Sequence, residues 1–229
     1  MIRVVSWNIE LGLQVEQAAE ALLNHPDLQG ADIVLTQEMS TDSANELAEL
    51  LGMQCEYDWA ELHCETREPF GNAIMSRTPL RDKMHLLLPH VARINGQPRS
   101  ALFATTTIQD TDVLIGSLHL ETVLLGLRRR VEQIQPIADF VSKSDTPSII
   151  GGDFNTASTR SVKAFEQTLG EADLQRVSKL EAETFRRFGR PFVLDHFFGR
   201  NIKVVDGGVV PTGAVSDHEP IWIDLELTS

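Results

Sequence analysis

Cysteine is nearly absent from the sequence: Cys55 and Cys64 are its two copies in 229 residues. They could pair, but one bridge is no disulfide framework, and neither stands at a metal-binding spacing. Long apolar runs are missing too, none approaching the ~20 residues that span a bilayer. Met1-Ile2-Arg3-Val4-Val5 enters a strand-like run with no export signal before it. These absences lead us to expect a cytoplasmic protein without a transmembrane segment. Basic residues are few beside acidic ones, 20 against 33, for a net charge of −13 and a pI near 4.9. That argues against a broad electrostatic grip on nucleic-acid backbones, which takes a basic face. Nucleic acid is not thereby excluded, because a bound divalent metal reverses the local sign at an acidic site. A small substrate is somewhat favoured. No linker, charge block, low-complexity run or internal repeat divides the chain, so residues 1–229 read as a single domain.

What is present is enough apolar sequence, 42%, for one substantial core. Periodicity predicts helices at about 14–25, 125–142 and 159–169, each with an apolar stripe such as Val15, Ala18, Ala19, Leu22. Ser43 and Glu46 make a capping-box pattern ahead of another helix through Leu51. Strands are predicted at 2–8, 33–35, 53–59, 71–76, 83–88, 99–107, 112–120, 147–152, 192–198, 203–209 and 220–227, with turns near Thr78-Pro79 and Asn95-Gly96. Strands with interspersed helices, rather than strict alternation, suggest a mixed-sheet α/β sandwich.

The placement of polar residues carries the functional signal. Apolar strands run into Glu38, His119, Asp153 and Asp195, and a Gly/Pro-containing loop leads to Asp217-His218. Buried carboxylates are costly unless paired or metal-bound, so their recurrence at strand ends suggests one shared polar site. Carboxylate and amide oxygens are hard donors suited to Mg2+ or Mn2+, and Glu38 with Asn8, Glu10 and Asp217 could hold such an ion. An Asp195–His218 pair could present an imidazolium to a phosphate oxygen, or neutral His218 could activate water. Asp153 is the other candidate base, with Asn155 orienting water or phosphate. Singly, each has a plainer reading: Gly152-Asp153-Phe154-Asn155 is good turn chemistry, and Asp217 after Ser216 could cap a loop.

In order, the segments are more specific. Ser6-Trp7-Asn8-Ile9-Glu10, Gln37-Glu38, Gly71-Asn72-Ala73-Ile74-Met75-Ser76, His119-Leu120, Gly152-Asp153-Phe154-Asn155, Leu194-Asp195-His196 and Ser216-Asp217-His218 resemble the endonuclease/exonuclease/phosphatase superfamily. The resemblance covers residues 5 to 222. It implies a four-layer α/β sandwich, two packed mixed β-sheets flanked by helices, with the site at one edge. It also implies metal-dependent hydrolysis of phosphate esters, the substrate being a nucleic acid or a small or lipid phosphoester. On this likeness Glu38 is the principal metal ligand, Asn8 and Asp217 belong to the metal site, and Glu10 is a further or outer ligand. Asp153 activates water, Asn155 orients phosphate, Asp195 and His218 form the dyad, and His119 contacts the scissile phosphate. Asn72 falls toward the substrate, and Arg99 stands where some relatives place a phosphate-contacting arginine, the plainer reading being a solvated strand-end arginine.

The branch is less defined. Abasic-site endonucleases of the superfamily have tyrosine where this chain has His119, and its single tyrosine, Tyr57, lies elsewhere. His119-Leu120-Glu121-Thr122 is similar to the His-Leu-Glu-Ser motif of 5′-tyrosyl-DNA phosphodiesterases, whereas Gly71–Ser76 and the segment around Asp195 look more like small bacterial members. Arg128-Arg129-Arg130 opens a helix, where the macrodipole disfavours cations, and reads as solvated surface. Arg186, Arg187 and Arg190 are the better candidates for a substrate-facing patch. The alternative to an enzyme is a non-catalytic phosphate-ligand-binding module that retains the fold.

Overall fold

The computed structural model describes residues 1–64, 66–93, 96–178, 183–187 and 189–228, of which the side chain of Arg187 is excepted. Asn95, half of one predicted turn, lies outside them. In chain order the elements begin with β1 (Ile2–Asn8), α1 (Val15–Asn24), β2 (Ile33–Met39), α2 (Thr41–Leu51), β3 (Gln54–Leu62) and β4 (Pro69–Ser76). They continue with β5 (Leu80–Leu87), β6 (Ser100–Ile108), β7 (Thr111–His119), α3 (Leu127–Val141), β8 (Ser148–Asp153) and α4 (Thr159–Gly170). The last are β9 (Gln175–Arg176), β10 (Phe185–Arg187), β11 (Arg190–Phe192), β12 (Asp195–Arg200), β13 (Ile202–Val209) and β14 (Ile221–Leu227).

Two six-stranded mixed sheets form, ordered β13-β14-β1-β2-β4-β3 and β5-β6-β7-β8-β12-β9, with β10 and β11 as a separate hairpin. Each sheet has one parallel pair at its centre, β1 with β2 and β7 with β8. Alternation along the strands decides the layers. Val5 and Trp7 of β1 pack with α1 and α2, while Ile2 and Val4 join Leu35, Ile149 and Phe197 between the sheets. Ile150 and Phe198 turn to the other side, against Ile134 of α3 and Phe165 of α4. Helix, sheet, sheet and helix therefore stack as the expected four layers.

Three local expectations shift. Helix α2 is capped by Ser40, whose hydroxyl accepts from the Ser43 amide while the Ser43 hydroxyl accepts from the Ser40 amide. The reciprocal box is thus one turn ahead of the Ser43/Glu46 pattern, because serine at its third helical position serves as well as glutamate. The strand expected at 192–198 is two: β11 ends at Phe192 and β12 starts at Asp195. Between them, the amides of Leu194 and Asp195 lean on the Thr184 hydroxyl. Third, Arg130 is buried, not solvated. Its guanidinium donates to the carbonyls of Phe154 and Asn155 and lies over the Phe165 ring.

Candidate active site

Register brings the polar strand ends together. His119 is level with Asp153 across the parallel β7–β8 pair, and Asp195 is level with Asp153 across the antiparallel β8–β12 pair. In the other sheet Asn8 is level with Gln37. The next residue, Glu38, has φ of 59° where the β2–β4 register slips between Thr36 and Met39. A left-handed non-glycine residue costs roughly 1 kcal/mol, and the bulge re-aims its side chain. Gly152, just before Asp153, is required by space: a Cβ there would stand 2.0 Å from the Leu118 carbonyl oxygen of β7.

The side chains meet across the sheets. Asn8 Nδ2 lies 3.1 Å from Glu38 Oε1 and 3.3 Å from Asp153 Oδ2. Asp153 Oδ1 accepts from the Asn155 amide at 2.8 Å, and Asn155 Nδ2 reaches Leu120 O and Asp153 Oδ2. His119 Nε2 is 3.4 Å from Asp153 Oδ2 and 3.8 Å from Glu38 Oε1. His218 Nδ1 is 2.9 Å from Asp195 Oδ2, leaving Nε2 3.7 Å from Asp153 Oδ2. Ser216 and Trp7 hold this loop, through Ser216 Oγ to Asn8 O and Trp7 Nε1 to His218 O. The Asp217 amide donates to Glu10 Oε2 at 3.2 Å. Glu38, His119, Asp153, Asn155, Asp217 and His218 all line one cleft of about 300 Å³.

Carboxylates outnumber cations in this cleft. Burial raises the Asp153 carboxyl, with Asp195 and Glu38 adding to it and His218 opposing. Burial likewise raises Asp217. On His218 burial pulls the other way, but Asp195, Asp153 and Asp217 together outweigh it and hold the ring protonated more strongly than usual. Burial, with Arg99 and His218 nearby, holds His119 well below the ordinary imidazole range. Asp153, Asp195 and His218 offer ligand atoms within 4.8 Å of one another, a cluster able to hold a metal ion. The 2.9 Å Asp195–His218 contact also fits a hydrogen-bonded pair. Glu38, Asp153 and Asp217 are hard oxygen donors that repel one another unless a cation lies among them, so they fit a divalent ion, while Asn8 turns its NH2 to Glu38 and Asp153 and accepts the Glu10 amide at Oδ1.

The family description "Endonuclease/Exonuclease/phosphatase family" matches residues 5–218, nearly the whole chain. The chain belongs to this family. Family members are phosphoester hydrolases that generally use divalent metals. A UPF0294 protein of Yersinia pseudotuberculosis is 33% identical over 149 residues, 65% of this chain and 53% of the relative. The chain thus spans about half the length of the curated relatives it matches. Among solved structures, an endonuclease/exonuclease/phosphatase from Beutenbergia cavernae superposes with a TM-score of 0.81 at 22% identity, covering 100% of this chain and 72% of that one. A mannosyl-6-phosphatase from Bacteroides thetaiotaomicron superposes with a TM-score of 0.78 at 19% identity, covering 99% and 100%. Both likenesses are of fold.

In this family member four predicted residues do not line the cleft: Asn8 and Asp195 stand behind it, hydrogen-bonded to Glu38, Asp153 and His218, and Asn72 and Glu10 are turned elsewhere. Asn72 is buried, and its amide donates to the backbone and hydroxyl oxygens of Ser100, tying β4 to β6 across the sheets. Glu10 is absent from the lining and meets the Asp217 loop instead. Arg99 does line the cleft, but its guanidinium is committed to His119 Nδ1 at 3.3 Å and Glu121 Oε1 at 3.6 Å. Of the arginines before Asp195, Arg186 pairs with Glu183, Arg190 is exposed, and the Arg187 side chain lies outside the described residues. Phe185, Phe192 and Val123 also line the cleft and were not foreseen. The sequence signal for the first two was a pair of phenylalanines around Gly189, a hairpin pattern masked by the arginines. No helix among the described residues is long and apolar enough to cross a membrane.

Proposed function

We propose that this chain hydrolyses phosphate esters with Mg2+ or Mn2+, water attacking phosphorus. The observation that carries the reading is the convergence of Glu38, Asp153, His119 and the Asp195–His218 pair on one cleft. Glu38, with Asn8 and Asp217 and with Glu10 behind, would hold the ion. Bound there, it supplies stabilisation of phosphoryl charge and a more acidic water.

The protein's own groups divide the remaining work. Asp153 receives the proton of the attacking water, its Oδ1 fixed by the Asn155 amide and its Oδ2 by Asn8 and Asn155. His218, held protonated with Nδ1 on Asp195, presents Nε2–H to a phosphate oxygen. His119 accepts from Arg99 at Nδ1, so its Nε2 carries the proton and gives a second donor. Such preorganised donors stabilise charge as it develops.

A panel of nucleic acids and small phosphoesters, assayed with Mg2+, Mn2+ or chelator, tests the reading. Activity should vanish in chelator, and Asp153→Ala should lower kcat by about 10²- to 10⁴-fold. Full turnover in chelator refutes the metal reading, and a panel without turnover favours the binding module.

A further inference from the structure

The cleft that holds the acidic centre has walls of a different character. Asp153 ends β8, which lies between β7 and β12. Because β7 runs parallel to β8 and β12 antiparallel, the segment leaving β7 and the segment entering β12 emerge on either side of Asp153. The first is a single 3-10 turn, Val123–Leu125, its start held by Thr122 Oγ1 on the Leu124 amide. It leaves Val123 55% exposed. The second is the β10–β11 hairpin, which sets Phe185 opposite Phe192 with ring centroids 6.4 Å apart. Phe185 also lies 4.7 Å from the His218 ring. Val123, Phe185, Phe192 and Leu194 line the same cleft as Asp153 and His218.

Apolar side chains in a concave, water-filled site are covered at a gain by an apolar group. A polyanion, by contrast, is gripped mainly by lysines and arginines that neutralise its phosphates. Among the described residues lining the cleft, Arg99 is the one lysine or arginine, and it is buried against His119 and Glu121. At about 300 Å³ the cleft is at the lower end of small-molecule sites. That is room for a phosphoryl group and one ring.

The geometry points to a subsite, between the hairpin and the 3-10 turn, for a ring-sized apolar substituent carried on the substrate's phosphorus. This rests on the phosphoester reading of the adjoining site. The favoured substrate is a compact phosphoester with an aromatic or cyclic apolar group, not an extended nucleic-acid backbone. Phe192 and Val123 set that preference, and Phe185 joins the subsite to His218.

Phenylphosphonate and methylphosphonate test it, since they share the anion, differ in the substituent, and carry a C–P bond that water attack does not cleave. Calorimetric titration of the wild-type chain with Mg2+ should give phenylphosphonate an affinity roughly tenfold higher or more. Phe192→Ala and Val123→Ser should each pull that ratio toward one. Equal affinities in the wild type, no binding of either anion, or a ratio unmoved in both folded variants would overturn the subsite. So would displacement of phenylphosphonate by a single-stranded oligonucleotide at concentrations below the phenylphosphonate Kd. Turnover assays separate this from the reading on which it rests. Phenyl preference without hydrolysis of any ester sinks the hydrolase and keeps the subsite. Hydrolysis of small phosphoesters without phenyl preference does the reverse.

Discussion

A guanidinium donates hydrogen bonds and accepts none, so Arg99 decides which nitrogen of His119 carries the proton. On the proposed reaction Arg99 is therefore a positioning residue, acting through His119. It also faces Glu121, which is wholly buried with Oε2 unpartnered. Arg99→Leu should cost about 3–5 kcal/mol by stranding that carboxylate, and about 10²-fold in kcat by freeing the tautomer. Adding Glu121→Gln should restore most of the stability but not the rate. Urea midpoints and kcat for the single and double variants check this, and joint recovery of both would reduce Arg99 to a structural role. A second histidine makes stability depend on pH. His196 is buried, with Nε2 2.6 Å from the Thr156 hydroxyl, and burial with Arg176 nearby lowers it to about 3. Its folded value is below its unfolded one, so its contribution is complete above pH ~6.5 and is lost as pH falls toward 3. The slope is about 1.4 kcal/mol per pH unit. Asp153 and His218, both raised, act in the opposite direction over the same range, so the test is the difference: between pH 7 and pH 5 denaturant unfolding should show wild type losing more stability, or gaining less, than His196→Gln.

Among the elements, the β7–β8 pair bears the tightest constraint. It aligns His119 with Asp153, and Gly152 lets the two strands approach where a Cβ would meet a carbonyl at 2.0 Å. Gly152→Ala should destabilise the protein by about 3 kcal/mol or more and slow turnover in the molecules that still fold. Gly170, with nothing near its virtual Cβ, is the control. Gly170→Ala should stay within about 1 kcal/mol of wild type. Equal midpoints for the two variants would show that the strands can part freely. Helix α3 also serves the site. Its buried Arg130 draws in the carbonyls of Phe154 and Asn155 and so fixes the turn that shapes Asp153.

At the scale of the whole molecule, the cleft is where two sheets present like charges to each other. Glu38 comes from one sheet, Asp153 and Asp195 from the other, and Asp217 from the loop before β14. His218 lies among them, and its loop is tied to β1 by Trp7. A cation bound to the folded state but not the unfolded one stabilises by mass action, about 2.7 kcal/mol at a hundredfold excess over Kd. Mg2+ should therefore raise Tm by several degrees, and Glu38→Gln should raise the ion-free Tm while blunting the response. Thermal melts with Mg2+ or chelator measure both. A wild-type Tm indifferent to Mg2+ would argue against an ion among these carboxylates.

Much of this was legible in the residues. Strand ends at His119 and Asp153 follow from period and chemistry that are local, and so does the choice of hard oxygen donors, whereas β2 runs past the expected 33–35 through Glu38 to Met39. Ser40 as the cap, the break before Asp195, the burial of Arg130 and the aromatic wall were not legible. Each depends on a partner distant in sequence or on a choice between equivalent local patterns. Arg130 is the plainest case, because its acceptors lie 24 and 25 residues away and a run of three arginines carries no sign of them. The sequence by itself determined which side chains have the chemistry to bind a hard cation or move a proton, and that several of them fall near strand ends. Only the tertiary structure decided which of them meet, because sheet order and register set the distances between groups as far apart as Trp7 and His218, 211 residues along the chain. It alone decided, too, that an apolar wall stands beside the acidic centre.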